Sequence, residues 1–175
     1  MREIIYSVAM SLDGFIAGPG GEFDWIPDEP DIDWDAFMAR FDTALVGRHT
    51  YDTTMDPQTG AALPGMRVLV FSRTLRPEDH PQVTLVSDDV HRVVDDLRRA
   101  PGKDIWLMGG GVLFRSLLEL DLVDVVEVAV VPILLGEGLP LLPPVSPRAR
   151  LALTNSRVYP SGIVLLTYDV VKGSE

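Results

Sequence analysis

The amino-acid sequence predicts an α/β protein with a mostly parallel central sheet and flanking helices. Five short apolar runs recur through the first two thirds of the chain, and several are separated by segments with apolar residues at helical spacing. After Asp124, apolar runs follow one another without a helix-length segment between them, which predicts antiparallel strands at a sheet edge. With 175 residues, 46% of them hydrophobic, and no compositional break, we expect one domain over residues 1–175.

Each predicted element follows from its local pattern. The parallel strands are continuous apolar runs of the kind buried on both faces, at 4–10, 43–46, 67–72, 83–86 and 104–108. The helices carry an apolar stripe and can cross over between parallel strands, at 33–41, 89–99 and 112–120. The later strands lie in VVEVAVVPIL, RLALTNSRVY and GIVLLTYDVV, and the proline-rich PLLPPVSPR is predicted to be a loop within the domain.

Composition excludes several classes of function. Lys and Arg number 15 against 26 Asp and Glu, so the net charge of -11 opposes a nucleic acid or an anionic membrane as partner unless positive charge is locally clustered. The first residues lack a long apolar segment, and the longest apolar stretch is too short to span a bilayer, so we expect a cytoplasmic protein. With no cysteine and three scattered histidines, we expect no metal site.

Three strand ends carry residues suited to binding an anion. Ligands of open α/β sheets bind beyond the carboxyl ends of the strands. After the strand in LVGRHTYDTT, Gly47 permits a tight turn, Arg48 suits a phosphate, and Thr50 is a candidate N-cap of a following turn. The alternative is a capped turn with a surface arginine.

The other two ends strengthen the binding interpretation. RVLVFS ends in Ser72 and is followed by Arg73, a hydroxyl and a guanidinium that can hold a phosphate. DIWLM leads through three glycines into an apolar helix, whose first amides can face a pyrophosphate; a simple glycine-rich turn is the alternative. Three such ends in an acidic protein favour a phosphate-bearing ligand.

The motifs VAMSLDGFIA, LVGRHTYDT, LPGMRVLVFSR, WLMGGGVLF and VVPILLGEG, with Trp25 after the first, resemble the dihydrofolate reductase superfamily over nearly the whole chain. SLDGFIA and VPILLGEG are most similar to the reductase domain of riboflavin-biosynthesis deaminase-reductases and to related reductase-like proteins, whereas GRHTY is similar to dihydrofolate reductase itself. The resemblance implies a dihydrofolate-reductase-like three-layer fold. It also implies NADPH-dependent reduction of a pterin-like, pyrimidine-like or carbonyl substrate. The alternative is a catalytically silent NADP(H)-binding module.

The resemblance also implies which residues hold the cofactor. Ala9 would approach the nicotinamide ring, and the segment GFIAGPGGEFDW would close over it. Ser72 and Arg73 would hold the adenosine 2'-phosphate. The remaining cofactor-binding residues would lie near the other phosphates: Gly47, Arg48, His49, Thr50, Met108, Gly109, Gly110, Gly111 and Val112.

The reduction also needs a proton donor and a substrate pocket. An ungapped count back from Arg48 places Asp31 where dihydrofolate reductases carry their carboxylate. Asp13 is the competing candidate, although SLDG can equally be a turn. Trp25, Trp34 and Phe37 are candidate walls of the substrate pocket, and each of them also suits the core.

Two departures from the resemblance bear on specificity. Met66 stands where dihydrofolate reductases carry an arginine for the folate tail, so folate is not expected to be the natural substrate. Val112 replaces their second 2'-phosphate arginine, which leaves the preference for NADPH to Arg73 with help from Ser72. A homodimer is expected from the resemblance and from the apolar C-terminal strands.

Overall fold

A computed structural model describes residues 1–54, 63, 65–146 and 148–173. Its strands are β1 (Ile4–Ser11), β2 (Phe15–Ala17), β3 (Phe41–Gly47), β4 (Arg67–Phe71), β5 (Thr84–Val86), β6 (Asp104–Gly109), β7 (Val125–Val131), β8 (Leu139–Pro140), β9 (Arg150–Val158) and β10 (Val164–Val171). Its helices are α1 (Trp34–Ala39), α2 (Arg48–Thr54), α3 (Val90–Arg99) and α4 (Gly111–Glu119), with a 3-10 turn at Pro77–Asp79. No helix within these ranges is long and apolar enough to cross a membrane.

Eight strands form one sheet in the order β5-β4-β3-β6-β1-β7-β10-β9. All pairs from β5 to β7 are parallel, and β10 and β9 add antiparallel pairs at one edge. The predicted fold class is therefore confirmed. β2 and β8 form a separate two-stranded ribbon.

The prediction was wrong for the first of the three C-terminal strands. β7 pairs parallel with β1 over seven residues, from Ile5 opposite Val125 to Ser11 opposite Val131. A parallel strand needs a crossover connection, and α4 supplies it between β6 and β7. The helix predicted at 112–120 is this crossover, and the parallel direction that it gives to the next strand is what the strand pattern missed.

The core lies on both faces of the sheet. On one face, α3 and α4 pack through Val94 and Leu117 onto strand residues such as Leu45. On the other face, the neighbouring residues Ala44 and Val46 pack in a second cluster. The continuous apolar runs of the sequence are thus buried on both sides, because successive side chains of a strand point to opposite faces.

The segment around β3 differs from its prediction at both ends. α1 stops at Ala39, because Phe41, which is 3% exposed, is already the first residue of β3. α2 begins immediately after β3, so Thr50 lies inside that helix and does not cap it. The N-cap of α1 is Asp33, whose carboxylate accepts a hydrogen bond from the Ala36 amide at 2.8 Å.

Asp13 joins the loop after β1 to the loop after β7. Its carboxylate accepts hydrogen bonds from the Ser11 hydroxyl at 2.6 Å and from the amides of Leu135 and Gly136 at 3.1 and 2.7 Å. These hydrogen bonds, the one from Ser11 above all, hold the pKa of Asp13 below its usual value. The structure therefore gives Asp13 the role of a clamp between two loops.

We expect Asp13→Ala to loosen this clamp. The amides of Leu135 and Gly136 should exchange with solvent faster in the variant, and its stability should fall, as measured by hydrogen exchange and urea denaturation. Because the folded pKa is depressed, the stabilisation is present above the ordinary pKa of about 3.9 and is lost as pH falls through the folded value. The stabilities of the parent and of Asp13→Ala should thus differ near neutral pH and become equal in strong acid. The control Asp28→Ala, at an exposed aspartate, should have the stability of the parent protein.

The edge strand β9 supports the expected homodimer, which stays a prediction. All nine of its residues are exposed, including Leu151 at 44% and Leu153 at 57%. A long apolar edge strand is a pairing surface that proteins usually cover. We expect light scattering to show a dimer at micromolar concentration, and the double change Leu151→Lys and Leu153→Lys to give monomers. Leu134→Lys, at an exposed leucine outside β9, is the control, and a monomeric parent protein would contradict the prediction.

Candidate functional site

A cavity of about 1220 Å³ opens at the carboxyl edge of the parallel strands. Ligand pockets usually measure roughly 300 to 1,000 Å³, so this one is somewhat larger than a typical pocket. Its lining includes residues that follow four strands, whereas the sequence indicates three. They are Arg48, His49 and Thr50 after β3, Ser72 and Arg73 after β4, Ser87 after β5, and Gly110, Gly111 and Val112 after β6, together with Gly47 at the end of β3 and Met108 near the end of β6.

Three consecutive glycines allow the backbone at β6 and α4 to pack closely. Gly109 has a φ of +123°, a conformation that residues with a side chain rarely adopt. A side chain at Gly111 would meet the carbonyl oxygens of Pro140 and Leu141 at 2.7 and 2.9 Å. Gly109 itself does not line the cavity, so its contribution is the turn. The N-cap Gly110 has no side chain to bond the first amides of α4, and an anion can approach them.

The arginines at this end belong to ordered turns. The Arg48 guanidinium donates to Asp52 at 2.5 Å and to the Thr74 hydroxyl at 3.2 Å, which ties the start of α2 to the loop after β4. The Ser72 hydroxyl oxygen accepts hydrogen bonds from the backbone amides of Thr74 and Leu75, each at 3.2 Å. Ser72 therefore shapes the turn that carries Arg73, an exposed side chain at the cavity wall.

The opposite end of the cavity is a largely apolar chamber. Phe37 packs edge to face against Trp34 and Trp106, with ring centroids 5.8 and 5.3 Å apart. Ala9 contributes a small side chain from the middle of β1. The ribbon of β2 and β8 and the following loop also border the cavity, through Ile16, Ala17, Gly21, Phe23, Leu139 and Pro140.

A buried polar group lies among these apolar walls, and the sequence reasoning missed it. Glu127 is only 6% exposed, and its Oε1 accepts a hydrogen bond from the Ser7 hydroxyl at 2.9 Å. Nη1 of Arg40 lies 3.2 Å from both carboxylate oxygens. The indole of Trp106 donates to the Ser7 carbonyl oxygen at 3.1 Å. All four residues line the cavity, and a lone acid inside the apolar run VVEVAVV was the available signal.

Both predicted proton donors lie away from this cavity. Asp13 is occupied as the loop clamp described above, and a lowered pKa is the reverse of what a proton donor needs. Asp31 is exposed, and its backbone amide donates a hydrogen bond to the Glu29 carboxylate at 3.1 Å. The same carboxylate accepts a hydrogen bond from the Ser161 amide at 3.2 Å. Asp33, two positions later, is the aspartate of this segment that lines the cavity, and its carboxylate caps α1.

Of the three aromatic residues predicted as pocket walls, two line the cavity and one does not. Trp34 and Phe37 line the cavity. Trp25 does not, because it packs instead against the core cluster of Val131, Tyr159 and Ile163. Its indole donates to the carbonyl oxygen of Glu22 at 3.1 Å.

Comparisons with known proteins agree with this architecture. The uncharacterized protein YyaP of Bacillus subtilis (strain 168) is 38% identical over 178 residues, which cover 95% of this chain and 94% of that protein. The crystal structure of a putative riboflavin biosynthesis protein from Shewanella sp. PV-4 is 29% identical with a TM-score of 0.80, over 98% of this chain and 100% of that one. Dihydrofolate reductase from Enterococcus faecalis, complexed with NADP(H), shares the fold with a TM-score of 0.69 at 18% identity, over 97% of both chains.

The family itself follows from the match over almost the full length. The protein-family model of the RibD C-terminal domain matches residues 2–165 of this chain. The expected resemblance is therefore confirmed: the chain belongs to the RibD C-terminal domain family and has a dihydrofolate-reductase-like fold.

Proposed function

We propose that this protein is an NADPH-dependent reductase of a small heterocyclic or carbonyl compound. The observation that carries the proposal is one cavity in which polar groups at four strand ends, with arginines at two of them, adjoin an apolar chamber that contains a buried carboxylate. Bound NADPH would supply the hydride. Membership of the RibD C-terminal domain family supports the same cofactor, as does the Enterococcus faecalis relative, which is complexed with NADP(H).

The phosphate end fits a dinucleotide. The first amides of α4 and the guanidinium of Arg48 offer donors for the central phosphates, and the small Gly110 allows close approach. Arg73, presented by the turn at Ser72, offers a charged donor for a 2'-phosphate. Ala9 leaves room beside the chamber for a flat ring.

The chamber suits the substrate. Phe37 and the β2 and β8 ribbon cover part of the chamber, so the electrostatic interactions of the few polar groups inside are stronger than in solvent. We propose that Trp34 and Phe37 form the walls against which a planar substrate packs.

The first test is oxidation of NADPH in the presence of a panel of pterins, pyrimidines and quinones, followed by the loss of NADPH absorbance. Turnover of one class supports the proposal. A second candidate, a catalytically silent NADP(H)-binding module, is favoured by one observation: Asp13 and Asp31 both lie outside the cavity lining. Tight cofactor binding without turnover of any compound would support that second candidate.

We expect the protein to bind NADPH more tightly than NADH. A charged hydrogen bond from Arg73 to the additional phosphate contributes roughly 1.5 to 3 kcal/mol, which is about ten- to a hundredfold in affinity. Arg73→Ala should remove most of this difference in a fluorescence titration. Arg76→Ala, at an exposed arginine of the same loop that does not line the cavity, should preserve it. Equal affinities of the parent protein at moderate salt would contradict the assignment.

We expect dihydrofolate to be a poor substrate. Met66 packs into two core clusters and offers no charge to the folate tail, and Arg67 does not line the cavity. Initial rates at saturating NADPH should therefore change little between dihydrofolate and a dihydropterin without the tail.

A large loss of rate on removing the tail would contradict this expectation. Arg157 would then be the candidate partner of the tail carboxylates, because it lines the cavity. Its guanidinium lies 4.6 Å from the centre of the Tyr159 ring. Arg157→Ala would then be expected to abolish the benefit of the tail.

A further inference from the structure

The group formed by Ser7, Arg40 and the buried Glu127 is the feature of the cavity that the proposed function leaves without a role. Taking the Glu127 carboxylate out of water costs free energy that its pairing with the half-exposed Arg40 only partly returns, and replacing a buried charge pair with apolar residues is often neutral or stabilising. Glu127 lies on a central strand whose other residues are apolar, at the floor of the cavity. A charge pair kept in such a position favours a role in recognition.

The hydrogen bonds among the described residues leave Glu127 with an open acceptor position and Arg40 with further N–H donors. Oε1 of Glu127 accepts from Ser7 and Arg40, whereas Oε2 accepts from Arg40 alone, so one acceptor position of Oε2 is open. Arg40 uses Nη1 for Glu127, which leaves the N–H groups of Nε and Nη2. Its guanidinium lies 5.1 Å from the ring centre of Phe41 and 5.7 Å from that of Phe37, which limits its orientations.

The register of the sheet places this pair at a defined separation from Ala9. Ser7 lies opposite Glu127, and Ala9 lies opposite Ala129. The Ser7–Glu127 pair and the Ala9–Ala129 pair are therefore two residues apart along the strands and on the same face of the sheet. That separation is roughly 7 Å, because a strand rises about 3.3 Å per residue. A small fused ring that touches the pair with one edge would reach the row of Ala9 with the other.

We propose that Arg40 and Glu127 together recognise the cyclic amide edge of a heterocyclic substrate. The ring N–H donates to Oε2 of Glu127, and the neighbouring carbonyl oxygen accepts from Arg40. The proposal rests on the reductase function proposed above and narrows its substrate to lactam or imide rings. A carboxylate or phosphate would be attracted by Arg40 but repelled by Glu127, and a simple ketone has no N–H for the carboxylate.

The test compares two probes of nearly the same shape. Lumazine carries ring N–H groups beside its carbonyls, and 1,3-dimethyllumazine keeps the carbonyls and lacks the N–H groups. We expect calorimetric titration of the full chain, saturated with NADP⁺, to give at least about tenfold tighter binding of lumazine, since the open acceptor is a charged group. Equal affinities, or no detectable binding of lumazine, would overturn the proposal whatever the behaviour of any variant.

A matched pair of variants assigns the preference to Glu127. Glu127→Gln keeps the shape but replaces the carboxylate with a weaker neutral acceptor, so the preference for lumazine should fall at least about threefold. Glu119→Gln makes the same chemical change at an exposed site on α4, outside the cavity, and should leave the preference unchanged. An unchanged preference in a folded Glu127→Gln protein would contradict the assignment.

The design separates this inference from the function on which it rests. NADP⁺ binding is measured first, and its failure refutes the proposed cofactor. The lumazine comparison is then repeated on the protein without cofactor, where the same preference is expected, since Arg40 and Glu127 belong to the chain itself. Cofactor binding without any preference between the probes refutes the edge recognition alone.

Discussion

The parallel pairing of β1 with both of its neighbours is the constraint on which the rest of the structure depends. β1 lies between β6 and β7, with Ser7 opposite Glu127 and Ile5 opposite Trp106. A shift of one residue would turn every side chain of β1 to the other face of the sheet. Ser7 and Ala9 would leave the cavity, and Glu127 would lose its hydroxyl partner. The register that buries the core therefore also builds the floor of the cavity.

The part of the cavity at the strand ends could be predicted from the sequence because its residues are local to those ends. Arg48, Ser72 and Gly110 each follow a short apolar run within a few positions. In a parallel sheet such ends must meet at one edge, so no knowledge of long-range contacts is needed to bring them together. The β5 end, with Ser87, was missed because its polar residues resemble an ordinary turn.

The apolar chamber could not be predicted in the same way, because its polar contacts span long sequence separations. Glu127 meets a hydroxyl 120 positions away and an arginine 87 positions away. Asp31 lies outside the cavity lining, in the loop before α1 that Glu29 holds, and an ungapped count carries no information on how that loop is held. The parallel direction of β7 likewise depends on α4 acting as a crossover, which strand pattern alone does not reveal.

The charge of the whole chain is a poor guide to the charge of its cavity. The net charge is -11, yet among the described residues that line the cavity four arginines face two carboxylates: Arg40, Arg48, Arg73 and Arg157 against Asp33 and Glu127. Screening at cellular salt limits the reach of the surface acids to about 8 Å, whereas groups inside a partly enclosed cavity are screened less. A phosphate placed at the strand ends would therefore respond mainly to the charges nearest to it, which are Arg73 and the Arg48–Asp52 pair. An acidic protein can hold an anionic cofactor for this reason, and its net charge argues only against extended polyanions that must lie along its surface.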